Sequence, residues 1–427
     1  YVFLFIGDGM SYPQIQSTSD YLGALNDEDY WQAQPSLDDN QGAILDGPSY
    51  LNFMNFEAAG SAVTYDSNSF APDSASTATS IATGHKTYSG SINVDETGTV
   101  EYETIAEQLK AQKGYEIGVI TSVNLNHATP AAFYAHQASR SSYYEIGLEM
   151  VESDFDYFAG GGLLDPTGSE GDQTDLYQLA QEAGYTVART YAEADAISAD
   201  TDKAIIIEEN LADSDAIPYE LDRTDDMWSL ADYVEKGIEV LDNDTGFFMM
   251  CEGGKIDWAC HANDAGSSIH DTKALADAVQ VAIDFAAEHP EETLILVTGD
   301  HETGGLTIGF AGTDYDTYLD LLENQKISYA KFDSDYVASY KENKTPFEDV
   351  LSDIEELFGL KAQGAADDKL VLTEYEMEQL RAAYEKSVNG TAASEYEQEE
   401  YVLYGTYEPL SVTITHIINN KSGISFT

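Results

Sequence analysis

The chain begins with YVFLFIGDG at residues 1–9, an apolar run that ends at an aspartate between two glycines. A run that is apolar at consecutive positions predicts a strand buried on both faces, as in a covered parallel sheet. The glycines on either side of Asp8 allow the backbone to turn tightly directly after that strand. The stretch therefore predicts an α/β fold with a carboxylate at the end of its first strand.

Similar apolar runs alternate with helical patterns along most of the chain. Strands are predicted at residues 1–6, 116–121, 156–159, 204–207, 246–251 and 293–298. Helices are predicted at residues 104–112, 175–183, 227–242 and 264–288. This alternation predicts a three-layer α/β sandwich, with a central, mostly parallel sheet and helices on both faces.

The pattern of residue types changes in the last third of the chain. Residues 313–400 are charged and helical in pattern, with the clearest helices at 345–358 and 373–385. We interpret them as a helical insertion, a cap or a dimer contact, within a single catalytic domain that spans residues 1–427. The apolar/polar alternation of residues 408–416 predicts a strand, and residues 424–427 begin another.

Polar side chains follow several of the predicted strands. Asp8 follows the first strand, Glu252 the strand at 246–251, and Asp300 and His301 the strand at 293–298, while Thr129 comes soon after the strand at 116–121. Ligands of parallel sheets bind outside the carboxyl ends of the strands. We therefore expect these groups to converge on one edge of one sheet.

The segment after Glu252 is rich in metal-binding residue types. Asp257 and His261 are one helical turn apart, so they would project from one face and could share an ion. Glu252 lies one loop away and could serve a different ion. Carboxylates combined with imidazoles suit zinc, whereas carboxylate and threonine oxygens suit magnesium.

Asp300 and His301 form a second potential ligand pair. Asp8 could bridge two ions from the middle of the edge, because the glycines beside it let the chain turn there. Each cluster also has a structural explanation, such as a surface carboxylate beside a core histidine. Their occurrence together favours metal binding.

Ser74 lies in DSASTA at residues 73–78, where it is predicted to open a helix behind Asp73. A serine hydroxyl is a weak nucleophile unless a base, a metal or a helix N-terminus activates it. A lone serine after aspartate is usually a helix cap. Beside the metal clusters, Ser74 is predicted to be the nucleophile. Arg140, whose guanidinium matches two phosphate oxygens, is predicted to bind the substrate.

Charge limits the partners of this protein. The chain has 19 Lys and Arg against 78 Asp and Glu, a formal charge of −59. Such a surface repels nucleic acid and anionic lipid, so neither is an expected partner. An anionic substrate would need a local source of positive charge, and bound divalent cations can supply it.

Two cysteines and the apolar runs place further limits. Cys251 and Cys260 flank the Glu252–His261 segment, and we predict buried free thiols rather than metal ligands. No apolar run approaches the length of about 20 residues that a membrane span needs. Tyr1 opens directly within a predicted strand, which suggests a mature form whose targeting signal has been removed.

With these motifs in this order, the chain resembles the alkaline phosphatases over nearly its whole length. The resemblance implies that Ser74 becomes phosphoserine, that Arg140 clamps phosphate, and that two zinc ions and one magnesium ion are bound. It implies Asp257 and His261 as ligands of the first zinc, and Asp8, Asp300 and His301 as ligands of the second. Asp8, Thr129 and Glu252 are implied as the magnesium ligands.

Two positions of the resemblance vary within the family. His127 and Trp258 are similar to the pair in marine and cold-adapted bacterial enzymes, and they are expected to lie behind the magnesium ligands and tune phosphate release. The family also supplies a third ligand to the first zinc, a histidine near its C-terminus. No matching segment follows residues 424–427, so we expect that ligand to lie beyond Thr427.

The resemblance implies a secreted or periplasmic homodimer that hydrolyses small phosphate monoesters. A diesterase, a sulfatase or a phosphoglycerate mutase of the same fold is an alternative, although Ser74 lacks the Pro two residues on that a sulfatase requires. A different alternative is an acidic metal-binding protein without catalysis.

Overall fold

The computed structural model describes residues 1–30, 44–314, 316–391 and 407–426. Its strands are β1 Val2–Gly7, β2 Glu116–Asn124, β3 Tyr157–Gly161, β4 Thr186–Ala188, β5 Ala204–Ile207, β6 Phe247–Gly253, β7 Leu294–Gly299, β8 Thr307–Ile308 and β9 Ile424–Ser425. Strands β1 to β7 form one sheet in the order β4-β5-β3-β2-β6-β1-β7, and every pair is parallel. This confirms the predicted parallel sheet and adds β4, which the sequence analysis missed.

Helices surround the sheet. They are α1 Tyr12–Asn26, α2 Ser74–Thr83, α3 Ile105–Lys113, α4 Ala128–Ala131, α5 Tyr143–Glu152, α6 Leu176–Glu182, α7 Tyr191–Asp195, α8 Leu230–Leu241, α9 Lys255–His261, α10 Ala265–Glu288, α11 Tyr329–Lys331, α12 Ala338–Asn343, α13 Phe347–Phe358, α14 Glu374–Ser387 and α15 Pro409–Ser422. A π-helical turn at Phe332–Val337 joins α11 to α12, and short 3₁₀ turns lie at Asn52–Asn55, Glu220–Asp222, Ala311–Thr313 and Leu319–Asn324.

Alternate residues of β1 face opposite sides of the sheet, which produces two apolar cores. Leu4 and Ile6 pack into one core with α2 to α6, whereas Phe3 and Phe5 pack into the other with α8 and α10. Period-two alternation of side chains along a strand requires this division. The predicted three-layer sandwich is confirmed.

Local sequence signals set the helix boundaries. Asp264 caps α10 by accepting a hydrogen bond from the backbone of Ser267, and Thr104 and Glu107 form a capping box at the start of α3. Gly114 ends α3 with a φ of 69°, a backbone conformation that glycine adopts without strain. The ends of the predicted helices at 104–112 and 264–288 therefore agree with those of α3 and α10 to within one residue.

A third apolar core joins the helices of the last third of the chain. Side chains of α13, α14 and α15 pack there against α1 and β9. Helices predicted at 345–358 and 373–385 correspond to α13 and α14. Residues 315 and 392–400 of the predicted insertion, and Thr427 of the last predicted strand, lie outside the described residues. The role predicted for the insertion, a cap or a dimer contact, stays a prediction.

The strand predicted at 408–416 is wrong, because these residues begin α15. Leu410, Ile414, Ile417 and Ile418 recur at helical spacing and are all buried. The apolar residues alternate only from Leu410 to Ile414, and the apolar positions that follow complete one face of a helix. Packing against the third core then decides in favour of the helix.

Two further predictions concern membranes and cysteines. Among the described residues, no helix combines the length and apolar character needed to cross a bilayer. Cys251 and Cys260 are both buried free thiols, as predicted. Burial raises the pKa of Cys260 to about 12, which opposes its ionisation to a thiolate ligand.

Candidate active site

The strands that carry the predicted site residues are neighbours in the sheet. Order β2-β6-β1-β7 brings their carboxyl ends side by side, and the register pairs Ile6 with Glu252. Asp8, Glu252 and Asp300 thus meet at one edge, with exposures of 0%, 0% and 2%. This is the convergence that the sequence predicts, and it concentrates negative charge in a buried place.

Ser74 lies against this edge at the first position of α2. Its Oγ donates a hydrogen bond to Asp8 Oδ1 at 3.1 Å and lies 3.3 Å from His301 Nε2. The same imidazole nitrogen lies 3.1 Å from Asp8 Oδ1. One ligand atom from each of Asp8, Asp300 and His301 lies within 4.8 Å of the others. A metal ion held by these three residues would therefore be adjacent to the serine hydroxyl.

The pKa values at this edge reflect crowded carboxylates. Burial raises the pKa of Asp300 to about 7, and the charge of Asp8 adds to this effect. Burial also raises the pKa of Glu252, again with the charge of Asp8. Burial would raise the pKa of Asp8 as well, but hydrogen bonding and charge from His301 lower it to about 2. The carboxylates compete for too little positive charge, a condition that divalent cations relieve.

His301 supplies the positive charge within this cluster. Burial by itself lowers the pKa of the imidazole, but the charge of Asp300 and the hydrogen bond and charge of Asp8 raise it to about 11. The protonated imidazole of His301 thus occupies a place beside the carboxylates that a metal ion could take.

Asp257 and His261 project from one face of α9, as predicted. His261 Nε2 lies 3.3 Å from Asp257 Oδ2, and the histidine side chain is 57% exposed. Asp257 is connected to the other cluster by Thr303, whose hydroxyl donates to Asp257 and lies 3.2 Å from His301 Nδ1. Gly9 permits this approach, since a Cβ there would lie 2.7 Å from Asp257 Oδ1.

Eleven buried side-chain nitrogen and oxygen atoms have no hydrogen-bond partner among the residues that the structure describes, and three of them are oxygens of the predicted magnesium ligands. These three are Asp8 Oδ2, Thr129 Oγ1 and Glu252 Oε1. Thr129 lies beside Glu252 in the first turn of α4. A buried polar atom without a partner is costly, so each such atom calls for an explanation. Two carboxylates and a hydroxyl form a donor set that suits magnesium.

Arg140 reaches the site from the loop before α5. Its Nη1 contacts Asp73 Oδ2 at 2.8 Å, and its Nη2 lies 3.3 Å from His127 Nε2. Burial and then the charge of Arg140 lower the pKa of His127 to about 4, so this imidazole is neutral at physiological pH. Trp258 meets the ring of His127 edge-on at 5.8 Å. His127 and Trp258, the two positions expected to vary within the family, are thus in contact.

A cavity of about 1310 Å³ opens over these groups. Ser74, Arg140, His127 and Trp258 line it, together with the ligand pair on α9. Asp8, Thr129, Glu252 and Asp300 are buried and do not line the cavity. The cavity continues along the loop at residues 210–214 to α11, and this part has room for the remainder of a substrate.

Threonines that orient the carboxylates were missed by the sequence analysis. Thr77 Oγ1 donates to Asp300 Oδ2 at 3.0 Å, and Thr121 donates to Glu252. Thr303 holds Asp257, as described above. Thr77 lies one turn after Ser74 on α2, and Thr303 is two residues after His301, so their proximity in sequence to predicted residues was the available signal.

A serine hydroxyl held beside clustered carboxylates and imidazoles, at the carboxyl edge of a parallel sheet, is typical of metal-dependent hydrolases. Comparison with known proteins specifies the class. The family described as alkaline phosphatase matches residues 1–367 of the chain. The chain belongs to the alkaline phosphatase family, whose members are metal-dependent phosphomonoester hydrolases.

Individual relatives agree with this assignment. Alkaline phosphatase 4 of Bacillus subtilis is 29% identical over 98% of this chain and 86% of its own length. The cold-active alkaline phosphatase of a psychrophilic Shewanella species superposes with a TM-score of 0.73 at 27% identity, over 100% of this chain and 89% of its own.

One solved relative contains a metal. It is a histidine-to-glutamate mutant of the alkaline phosphatase from the Antarctic bacterium TAB5, with magnesium bound in its M3 site. It superposes with a TM-score of 0.58 at 30% identity, over 72% of this chain and 80% of its own.

Proposed function

We propose that this protein hydrolyses small phosphate monoesters through a covalent phosphoserine at Ser74, in a site with two zinc ions and one magnesium ion. The observation that carries the proposal is the cluster of buried carboxylates at the strand ends, one of which, Asp8, accepts a hydrogen bond from the hydroxyl of Ser74. Such an arrangement costs stability without cations, and it places those cations beside a nucleophile.

The ligand assignment follows the family resemblance, and donor chemistry and position support it. Asp257 and His261 would hold the first zinc. Asp8, Asp300 and His301 would hold the second zinc beside Ser74. Asp8, Thr129 and Glu252, which have unpaired buried oxygens, would hold magnesium. When bound, these ions supply fixed positive charge that lowers the pKa of the serine hydroxyl and neutralises phosphoryl oxygens.

The first half of the reaction transfers the phosphoryl group to the protein. Ser74 Oγ loses its proton and attacks phosphorus, the bond from phosphorus to the ester oxygen breaks, and the alcohol leaves after taking up a proton. Arg140 turns its guanidinium from Asp73 toward two non-bridging oxygens, a geometry that suits its planar fork. The N-terminus of α2 adds backbone N–H groups and a favourable dipole at the same place.

The second half regenerates the serine. Water attacks phosphorus, the bond from Ser74 Oγ to phosphorus breaks, and inorganic phosphate is released. His127 is neutral and contacts Arg140, so it orients the guanidinium without competing for the phosphate anion. Trp258 packs against His127 and closes this side of the phosphate position.

Substitution of Ser74 tests the proposed intermediate. We expect Ser74→Ala to lose turnover of p-nitrophenyl phosphate by about 10³-fold or more, since the nucleophile is removed. Acid quenching with radiolabelled phosphate should trap label on the wild type and none on the variant. Ser80→Ala, on the same helix and bonded only to the backbone of Ser76, is the matched control and should retain both properties. Label on Ser74→Ala at the wild-type level would refute the phosphoserine.

Metal content tests the assignment of cofactors. Elemental analysis of the active protein should give about two zinc and one magnesium per chain. Turnover by protein that lacks both metals would contradict the proposed site.

Assembly and location are further proposals. A homodimer is supported by exposed apolar side chains on residues 44–72, where Ile44, Val63 and Phe70 are 92%, 81% and 96% exposed. Sedimentation analysis as a monomer at micromolar concentration would contradict it. The acidic surface supports a periplasmic or extracellular location, because net charge keeps a protein soluble in such media.

A further inference from the structure

Lys255 is a buried cation that the proposed chemistry does not use. It is the first residue of α9 and is 0% exposed, two residues before Asp257, a proposed metal ligand on the same helix. Its backbone N–H donates to Ser122 Oγ on β2 at 3.1 Å. A fully buried lysine loses its hydration and needs compensating contacts, so its position has a cost that calls for a reason.

The ammonium group of Lys255 makes contacts behind the cavity wall. Its Nζ lies 3.0 Å from Asp213 Oδ2. It also lies 3.9 Å from the ring centre of Tyr219 and 4.6 Å from that of Trp258. Contacts between a cation and aromatic faces are stronger where water is excluded. One side chain therefore connects three residues that line the cavity.

The loop that contains Asp213 requires such a restraint. Asp213, Ser214 and Asp215 have φ angles of 40°, 61° and 61°, a conformation that non-glycine residues rarely adopt at successive positions. Such a conformation is strained and persists only where the surroundings enforce it. Asn124 Nδ2 donates to the carbonyl of Ser214 at 2.9 Å, and the amide of Gly162 donates to that of Asp215 at 2.8 Å. Lys255 provides the ion pair at Asp213.

These contacts concern a stretch of the cavity wall that begins at Trp258, whose ring contacts His127 beside the phosphate position. The loop with Asp213 and the side chains of Tyr219 and Tyr329 line the same cavity as Ser74 and Arg140. Tyr219 and Tyr329 pack together at 5.7 Å between ring centres. A monoester bound at Ser74 would direct its alcohol along this wall.

We propose that Lys255 is a positioning residue for the leaving group. Its ammonium group holds the loop at Asp213 and the ring of Trp258 in the arrangement that large alcohols contact. The inference rests on the proposed function, and it names the residue that determines which leaving groups the site prefers. Lys255 acts through its neighbours, since it does not itself line the cavity.

The test compares a large and a small leaving group. For Lys255→Met, which removes the charge and keeps the length, we expect the ratio of kcat/KM for p-nitrophenyl phosphate to that for methyl phosphate to fall about tenfold. A purely structural role for Lys255 would lower both values together and leave their ratio unchanged. Lys255→Arg retains the cation and should recover part of the ratio.

Controls separate this effect from general damage. Lys110→Met removes a lysine paired with Asp156 at 2.9 Å, at the opposite edge of the sheet, and should leave the ratio unchanged. Asp213→Asn removes the ion pair but keeps a residue type that tolerates positive φ. It should also lower the ratio. If Lys255→Met does not fold, the result for Asp213→Asn decides whether Lys255 positions the leaving group.

An unchanged ratio in Lys255→Met, or in Asp213→Asn if the first variant does not fold, overturns the inference alone. A wild type that hydrolyses neither ester overturns the proposed function, and the inference falls with it.

Discussion

Two clusters of ionisable groups, one buried and one partly buried, show opposite use of charge. At the carboxyl edge of the sheet, Asp8 and Asp300 share the imidazole of His301, and Glu252 lies near both carboxylates. In the second cluster, His136 lies between Glu149 at 3.3 Å and Glu107 at 3.5 Å, and Glu107 also completes the capping box of α3. The first cluster includes oxygens without hydrogen-bond partners, whereas the carboxylates of the second are hydrogen-bonded.

The difference distinguishes a functional site from a structural one. Around His136, ionised groups of opposite sign satisfy one another, and the cluster stabilises the fold. At the sheet edge, like charges are held together without sufficient compensation, and the fold supplies the stability that this arrangement costs. Under the proposed function, bound cations would complete the unbalanced cluster.

The largest expected effect comes from the unbalanced cluster. Asp8→Asn should reduce phosphomonoesterase activity by about 10³-fold, because it removes charge from a residue proposed to contact two metal sites and the nucleophile. Steady-state assays with p-nitrophenyl phosphate measure this loss. Asp156→Asn, at the amino edge of the sheet, is the control and should retain most activity. Comparable losses in both variants would remove the distinction between the two edges.

The same cluster should limit the stability of metal-free protein. In the presence of EDTA, we expect Glu252→Gln to increase the free energy of unfolding by about 1–3 kcal/mol, since a desolvated carboxylate beside Asp8 is neutralised. Added magnesium should then stabilise the wild type and not the variant. Urea denaturation measures both effects. A variant less stable than the wild type without metal would show that Glu252 is not a source of strain.

The balanced cluster should instead respond to alkaline pH. Burial lowers the pKa of His136, but Glu107 and Glu149 raise it from 6.5 to about 10. A raised folded-state pKa means that the stabilisation is complete below pH 6.5 and is lost as the pH rises to about 10.

His136→Gln should therefore cost about 1–3 kcal/mol at pH 6 and much less at pH 10. Thermal unfolding across this range measures the difference between variant and wild type. A cost that is the same at both pH values would contradict the charged state of His136.

The smallest expected effect concerns the whole surface. With a formal charge of −59, the thermal stability and activity of the protein should rise modestly between about 0.01 M and 0.2 M NaCl as repulsion is screened. The cluster around His136 should respond little, because buried pairs are screened less. A flat or falling response would show that surface repulsion does not limit this protein.

Much of the fold and site was predictable from local patterns. The apolar runs of β1, β6 and β7 end at Asp8, Glu252 and Asp300, so their position in the sequence already implied convergence at one edge. The spacing of Asp257 and His261 likewise implied a shared helix face. These predictions succeed because strand and helix periods are properties of short segments.

Other features depended on contacts that short segments do not encode. The residues at 408–416 have the alternation of a strand, but the third apolar core selects a helix for them. The pairing of Arg140 with Asp73 and the burial of Lys255 against Trp258 also join segments distant in the chain.

The sequence by itself determined the parallel α/β sandwich, the order of its polar strand ends and the residue types suited to metal binding. Only the tertiary structure decided which carboxylate oxygens lack partners, where Arg140 is held and what supports the wall of the cavity. The physical reason is range: periodicity acts between neighbours in sequence, whereas desolvation and charge depend on every group that folding brings near.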